Sequence, residues 1–195
     1  MDFLSKIKIL FSRPKVVVLV TEQGKMVKGL IDQILKFDPK AEKGVKICKI
    51  GDFKIEGIEF LLKHSSFPVL AIDTPDSEDM TRLLKSMPQN GLFLLNIEDE
   101  RVREMKSGLA AKSFTFGLRE TADLNVGDIN INGGINFKIS HKGNFVPFWL
   151  DKSLGKENIG AVLMAASIGI VLGFNLVEIS QAFKSYKGDL TSVIK

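Results

Sequence analysis

Cysteine is almost missing from this chain. Cys48 is the only one among 195 residues, so no internal disulfide can form and a reducing, cytoplasmic setting is expected. Its neighbours Ile47 and Ile50 point to a small buried side chain, and neither histidine lies near enough in sequence to activate a thiol. Histidine is scarce too: His64 and His141 belong to no Cys/His cluster and no H-x-x-x-H spacing, so no metal site is expected. Also lacking is any basic cluster interleaved with aromatics. The formal charge of +4 comes from lysines spread along the whole chain with Asp and Glu between them, which describes a solvated surface and excludes a nucleic-acid face. No secretory signal is expected, because MDFLSKIKILFSRPK breaks its apolar positions with lysines and offers no small-residue cleavage site. The one long apolar stretch, Ile159 to Val177, is interrupted by Gly160, Ser167, Gly169, Gly173 and Asn175. It reads as a buried helix ended by Gly173 and a second helix capped by Asn175, with no transmembrane segment.

What is present is enough apolar material for a core. The hydrophobic fraction is 45% and the charged fraction 26%, values of a globular chain, and 195 residues suit one domain, 1–195. The chain is organised around VVVLVTEQGKMVKGLIDQIL, Val16 to Leu35. An unbroken β-branched run enters a short turn holding Gly24 and Lys25; then Val27, Leu30, Ile31, Ile34 and Leu35 recur at helical spacing. Strand, turn, helix is the order of a phosphate-binding loop, in which glycines let backbone N–H groups close on phosphates, a lysine offsets their charge and a Ser/Thr hydroxyl holds Mg²⁺. Here Lys25 and its preceding Gly24 are kept, Met26 and Val27 stand where hydroxyls belong, and Glu22 adds a negative charge.

Around this stretch the pattern alternates. A short amphipathic helix, 1–13, with apolar residues Phe3, Leu4, Ile7, Leu10 and Phe11, ends at Pro14. Strands are expected at Val45–Ile50, Phe67–Ile72, Gly91–Asn96 and Ser113–Gly117, with helices between: Ile55–Leu62, one opened by Ser77, Glu78 and Asp79, and one ending near Gly108. Strands alternating with helices predict a mostly parallel sheet with helices on both faces. From Leu124 to Leu150 the period changes to two, over three segments separated by Gly133-Gly134 and Gly143-Asn144, which predicts a small three-stranded antiparallel sub-sheet at 124–150. A helix pair over 157–187 closes the fold, and the chain from Lys187 onward reads as frayed.

This α/β order, down to local wording, resembles the central ATP-binding domain of the Mur ligases, which build peptidoglycan precursors, and within them the D-alanyl-D-alanine-adding branch (MurF). RPKVVVLVTEQGKM resembles the family's lead-in and TGTNGKT loop. GLFLLNIEDERV resembles its G-x-x-x-L-N-x-D-D-x-R-V strand and turn, FGLRETADLNVGDI its entry into the antiparallel sheet, and LGKENIGAVLMAASIGIVLGFNLVEISQAF its G-x-H-N helix pair. The resemblance covers nearly the whole chain; the family's N-terminal UDP-substrate and C-terminal amino-acid domains have no counterpart in it.

By this resemblance the fold is P-loop-like and the family chemistry is ATP-dependent activation of a carboxylate to an acyl phosphate, which needs Mg²⁺ and cations. Position by position, the chain departs from it. The loop glycine four residues before the lysine is Thr21 and the Mg²⁺-holding hydroxyl is Met26. The metal-binding glutamate of the second strand is Lys49, the carbamylated lysine falls at Met80, its neighbouring glutamate at Arg82, and the G-x-H-N histidine is Glu157. Two cations a few ångström apart repel by ~4 kcal/mol at an effective dielectric near 20, so Lys49 opposes metal binding.

The matching positions left are Gly24, Lys25, Asn96 and Asn158, a residual nucleotide or phosphate site with no catalytic and no metal-ligating residue. Asn96 also reads as a turn residue ahead of a helix capped by Glu98 and Asp99, and Asn158 as a helix start. The expectation is a degenerate P-loop and a pseudoenzyme. This would be a non-catalytic binding or regulatory module linked to peptidoglycan biosynthesis, with no cofactor and with a protein partner, either a Mur ligase or a second copy. Two other readings stay open: a Mur-type carboxylate–amine ligase module that takes ATP and Mg²⁺ and needs other domains in trans, or a residual anion-binding module.

Overall fold

Valine and leucine in an unbroken run favour extended backbone buried on both sides, and Lys15–Val20 forms such a strand, β1. Val16 and Val18 face one side of it and Val17 and Leu19 the other, all fully buried. A computed structural model describes residues 1–75, 78–109, 112–130, 135–150 and 156–186. The fold is the mixed α/β architecture expected, and the chain divides into two units built from separated stretches: Met1–Glu22 with Lys40–Phe114, and Gln23–Pro39 with Thr115 onward.

In the first unit β1 lies between β2 (Val45–Lys49) and β3 (Phe67–Ile72), and β3 pairs with β4 (Leu92–Asn96), every pairing parallel. The boundaries fall within a residue or so of those expected, because each strand is an apolar run between residues that leave extended backbone. Gly51, just past β2, has φ 96°, a left-handed conformation that glycine adopts without strain. Helices α1 (Phe3–Ser12), α3 (Pro39–Gly44), α4 (Ile55–Lys63), α5 (Glu78–Ser86) and α6 (Glu100–Ser107) complete the series. α4 packs on β1, β3 and α5, and α6 on β4. Val16, Val18, Val20, Leu70, Ile72, Phe93 and Leu95 from alternate strand positions join Ile58, Leu61, Leu62, Met80 and Leu83 from the helices in one apolar cluster.

α1 is helical as expected, and the structure decides which way its apolar residues point. Of the expected face, Phe3, Leu4, Leu10 and Phe11 are exposed, whereas Ile9, on the other side, reaches the cluster.

In the second unit α2 (Gly24–Leu35) packs against α7 (Ile159–Leu172) and α8 (Leu176–Lys184). Strand β5 (Lys112–Gly117) passes from the first unit into the second. Its end pairs in parallel with β6 (Leu124–Asn130), which continues antiparallel into β7 (Ile135–His141) and β8 (Asn144–Leu150). The β7–β8 turn centres on Lys142 and Gly143, both at positive φ (50° and 76°), one residue before the expected Gly143-Asn144. Phe148 stacks on Phe137 and meets Phe183 edge to face, each pair 5.7 Å between centroids, fixing α8 on the meander. α7 is buried nearly all round. It ends at Gly173 (φ 108°), and Asn175 starts α8 with a reciprocal cap: its side chain accepts from Val177 and Glu178, and Glu178 accepts from its N–H. No helix among the described residues is long and apolar enough to cross a membrane. The expected Ser77 helix start, the Gly133-Gly134 turn and the fraying from Lys187 lie outside the described residues.

Candidate functional site

In open α/β sheets ligands gather at the carboxyl ends of the strands. There, in the first unit, three side chains form one network. Thr21, the residue after β1, donates its hydroxyl to Asp73 Oδ2 at 3.1 Å. Asp73 follows β3, and its backbone N–H bonds Val20 O at 3.0 Å, which fixes it beside the end of β1. Asn96, the last residue of β4, donates Nδ2 to Asp73 Oδ1 at 2.6 Å and accepts the Glu98 N–H on Oδ1 at 3.0 Å. The turn expectation for Asn96 is met by its carbonyl, which accepts the Glu98 N–H, while its amide is taken up by Asp73 across the strand ends. Asp99, as expected, caps α6 through the Arg101 N–H; its hydrogen bonds from Arg101 hold its pKa below the ordinary carboxylate value.

Asp73, which directly follows the expected strand Phe67–Ile72, is the residue at these strand ends to which sequence reading gave no role. Its signal was a carboxylate directly after a fully buried strand. It matters only once the strand order is known, since β3 lies between β1 and β4. Both Asp73 oxygens already accept hydrogen bonds. No group of three His, Cys, Asp or Glu among the described residues is placed to hold a metal.

In the second unit the turn residue Gln23 occupies the N-cap of α2 without capping it. Its Nε2 instead donates to Asn158 Oδ1 at 3.2 Å and Glu157 O at 3.3 Å, in the one-turn 3-10 helix Lys156–Asn158 that precedes α7. Asn158 does begin α7, yet its side chain makes no cap bond and faces Gln23. Gly24 is buried in the first turn of α2 and Lys25, next to it, is exposed. Of the four expected site residues, then, Gly24, Lys25 and Asn158 belong to the second unit, with Gln23 tying the turn to Asn158, and Asn96 belongs to the first, held by Asp73.

The substituted positions are occupied by other work. Lys49 ends β2, with its N–H on Asp52 Oδ2 at 2.9 Å and its ammonium 3.9 Å from Asp52 Oδ1. Met80 is 7% exposed, within the apolar cluster. Arg82 grips Glu59 with two nitrogens, at 2.9 and 2.8 Å, and reaches Glu56 at 3.1 Å. The Glu59 hydrogen bond raises the guanidinium pKa, so the shallow cleft lined by Glu59, Thr81, Arg82, Lys85 and Ser86 presents a cation already paired.

Cys48 is 1% exposed, and burial pushes its thiol up to about 12, the opposite of a nucleophile's requirement. The His64 ring lies 4.4 Å from that of Phe60, and His141 Nδ1 lies 2.7 Å from Asp123 O.

No protein-family model matches the chain. Over 105 residues it is 28% identical to a UDP-N-acetylmuramate–L-alanine ligase of Persephonella marina, which aligns 52% of this chain with 21% of that enzyme. Over 107 residues it is 29% identical to the same ligase of Halorhodospira halophila, aligning 54% with 22%. In three dimensions it superposes on a MurF ligase from Thermotoga maritima, solved in complex with ADP, with a TM-score of 0.70 and 12% identity over 91% of this chain and 50% of that one. The chain is Mur ligase-like. The Mur ligase-like chain spans about half the length of that solved ligase, and the matched segment covers about a fifth of the curated enzymes.

Proposed function

We propose that this Mur ligase-like chain is a non-catalytic binding or regulatory module serving the synthesis of cell-wall precursors, docking a protein partner and carrying no phosphoryl-transfer chemistry. The observation that carries the reading is the fate of the metal-holding positions. Met26 supplies no hydroxyl, Lys49 is turned to an ion pair with Asp52, Met80 is core packing, and Arg82 is bound by two glutamates. Phosphoryl transfer needs divalent metal against the charge developing on the transferred group, and carboxylates that have become cations or apolar groups cannot gather it.

Lys25 favours a second reading, a module that still takes an anion. It is an exposed cation in the first turn of α2, where backbone N–H groups and the helix dipole attract negative charge. Isothermal titration with ATP and Mg²⁺, run beside phosphate-release assays on muramoyl-peptide substrates, separates the readings. No saturable heat and no released phosphate supports the non-catalytic module. Micromolar binding that tolerates EDTA and is lost in Lys25→Ala supports the anion-binding reading, and phosphate release overturns both.

A further inference from the structure

Ten residues, Phe3–Ser12, form α1, capped at its start by Asp2, whose side chain accepts the Ser5 N–H at 2.7 Å. It ends at Arg13 in the left-handed region, with the Arg13 N–H on Ile9 O at 2.8 Å. One side of α1 belongs to the protein's own fold. Ile9 enters the core cluster, and Lys6 Nζ stands 5.3 Å from the centre of the Phe60 ring. The other side is the most apolar exposed surface on the first unit: Phe3 is 75% exposed, Leu4 76% and Phe11 88%. At 3.6 residues per turn these three, with Ile7 and Leu10, fall in an arc of about 120°, bordered by Lys8 on one edge and Lys6 on the other. Arg13 and Lys15 follow the helix, and Asp2, the sole acid in the first fifteen residues, is spent on the cap.

We propose that α1 binds a membrane surface rich in anionic lipid, lying flat with Phe3, Leu4, Ile7, Leu10 and Phe11 sunk among the acyl chains and Lys8 and Arg13 at the phosphate level. An apolar arc with cations at both borders is what an interfacial helix requires: the rings leave water while the lysine stems reach back to the headgroups. Charge decides the occupant. Pairing with a second copy through the same face would set Lys6, Lys8 and Arg13 of one chain against those of the other with no carboxylate to answer them. A helix of ten residues, about 15 Å long, also offers far less than the ~800 Å² per partner of a stable protein interface. A lipid phosphate layer supplies the missing anions and accepts a shallow apolar face.

The test is sedimentation of the full chain with vesicles of one part phosphatidylglycerol to two parts phosphatidylcholine, beside vesicles of phosphatidylcholine alone. The expected result is binding to the mixed vesicles that weakens with added salt and is tenfold or more weaker on phosphatidylcholine alone. Phe3→Ser/Phe11→Ser removes two exposed rings and should weaken binding by about tenfold or more with the thermal unfolding midpoint unchanged; Lys8→Glu should weaken binding to the anionic vesicles only. Absence of binding to the mixed vesicles overturns the proposal, as does binding that the double Phe variant leaves intact. So does a concentration-dependent dimer or a protein complex that the double Phe variant abolishes while vesicles go unbound.

Discussion

Asn96 donates its side-chain amide to Asp73 Oδ1 over 2.6 Å, joining the carboxyl ends of the neighbouring strands β4 and β3. Thr21 completes the chain from the end of β1. A carboxylate at the mouth of a parallel sheet is often a ligand-binding group; here its acceptor capacity is turned inward, holding three strand ends together.

Replacing Asp73 tests that structural role. Asp73→Ala removes the carboxylate on which Asn96 Nδ2 and the Thr21 hydroxyl converge in a half-buried position, and should cost about 1–3 kcal/mol. Asp73→Asn, which keeps one acceptor and the shape, should cost less. Urea unfolding followed by circular dichroism measures both; equal stability of Asp73→Ala and the parent chain would show that the network contributes nothing.

Cys48 makes a prediction about pH. Its thiol, raised to about 12 by burial, stays protonated in the fold where an unfolded thiol ionises near pH 8.5. The folded state thus holds the proton more tightly. Its stabilising effect is complete below about pH 8.5 and is lost as pH climbs from there toward 12. Ellman's reagent at pH 8 should find no reactive thiol in the folded chain and one in urea. Rapid reaction without denaturant would contradict the burial.

Two neighbouring positions on α7 should respond in opposite directions. Ser167 Oγ is buried with no hydrogen-bond partner among the described residues, so Ser167→Ala removes an unmet polar group and should be neutral or stabilising by about 1 kcal/mol. Gly169 sits where an added Cβ would come within 2.8 Å of Ile179 Cδ1 and 3.1 Å of Ile34 Cδ1. Gly169→Ala gains helix propensity, yet forces both isoleucines to move between α7, α8 and α2, and should destabilise by about 1–2 kcal/mol. Thermal unfolding of the two variants side by side checks the sign.

Much of this fold was legible because its strands are apolar runs bounded by residues with strong backbone habits. Gly173 after α7 and Asn175 before α8 stand where sequence reading set an end and a cap. Periodicity shows that α1 has an apolar face but not which way it points, because that depends on what Ile9 can reach. The site was harder for a similar reason. Asn96 could be singled out on its strand, but Asp73 becomes its partner only through the β1-β3-β4 order, and Gln23 meets Asn158 across 135 residues. Such pairings are set by topology, which local spacing does not encode.

If the substitutions at the positions that correspond, by resemblance, to the metal-holding residues of the Mur ligases are what keep nucleotide out, restoring them should let it in. Met26→Thr returns a hydroxyl to the first turn of α2, and Lys49→Glu exchanges a cation for a carboxylate at the end of β2. The second change loses the Asp52 ion pair, an exposed contact at 3.9 Å whose loss is worth at most about 1 kcal/mol. The double variant should therefore bind ADP with Mg²⁺ at least about tenfold more tightly than the parent, a gain of about 1.4 kcal/mol. That gain should vanish on adding EDTA and in the triple variant carrying Lys25→Ala. Titration calorimetry reads all three. A parent chain that already binds Mg²⁺-ADP in the micromolar range, or a double variant no better than the parent, would show that the lost hydroxyl and carboxylate are not what separates this chain from a nucleotide-binding ligase domain.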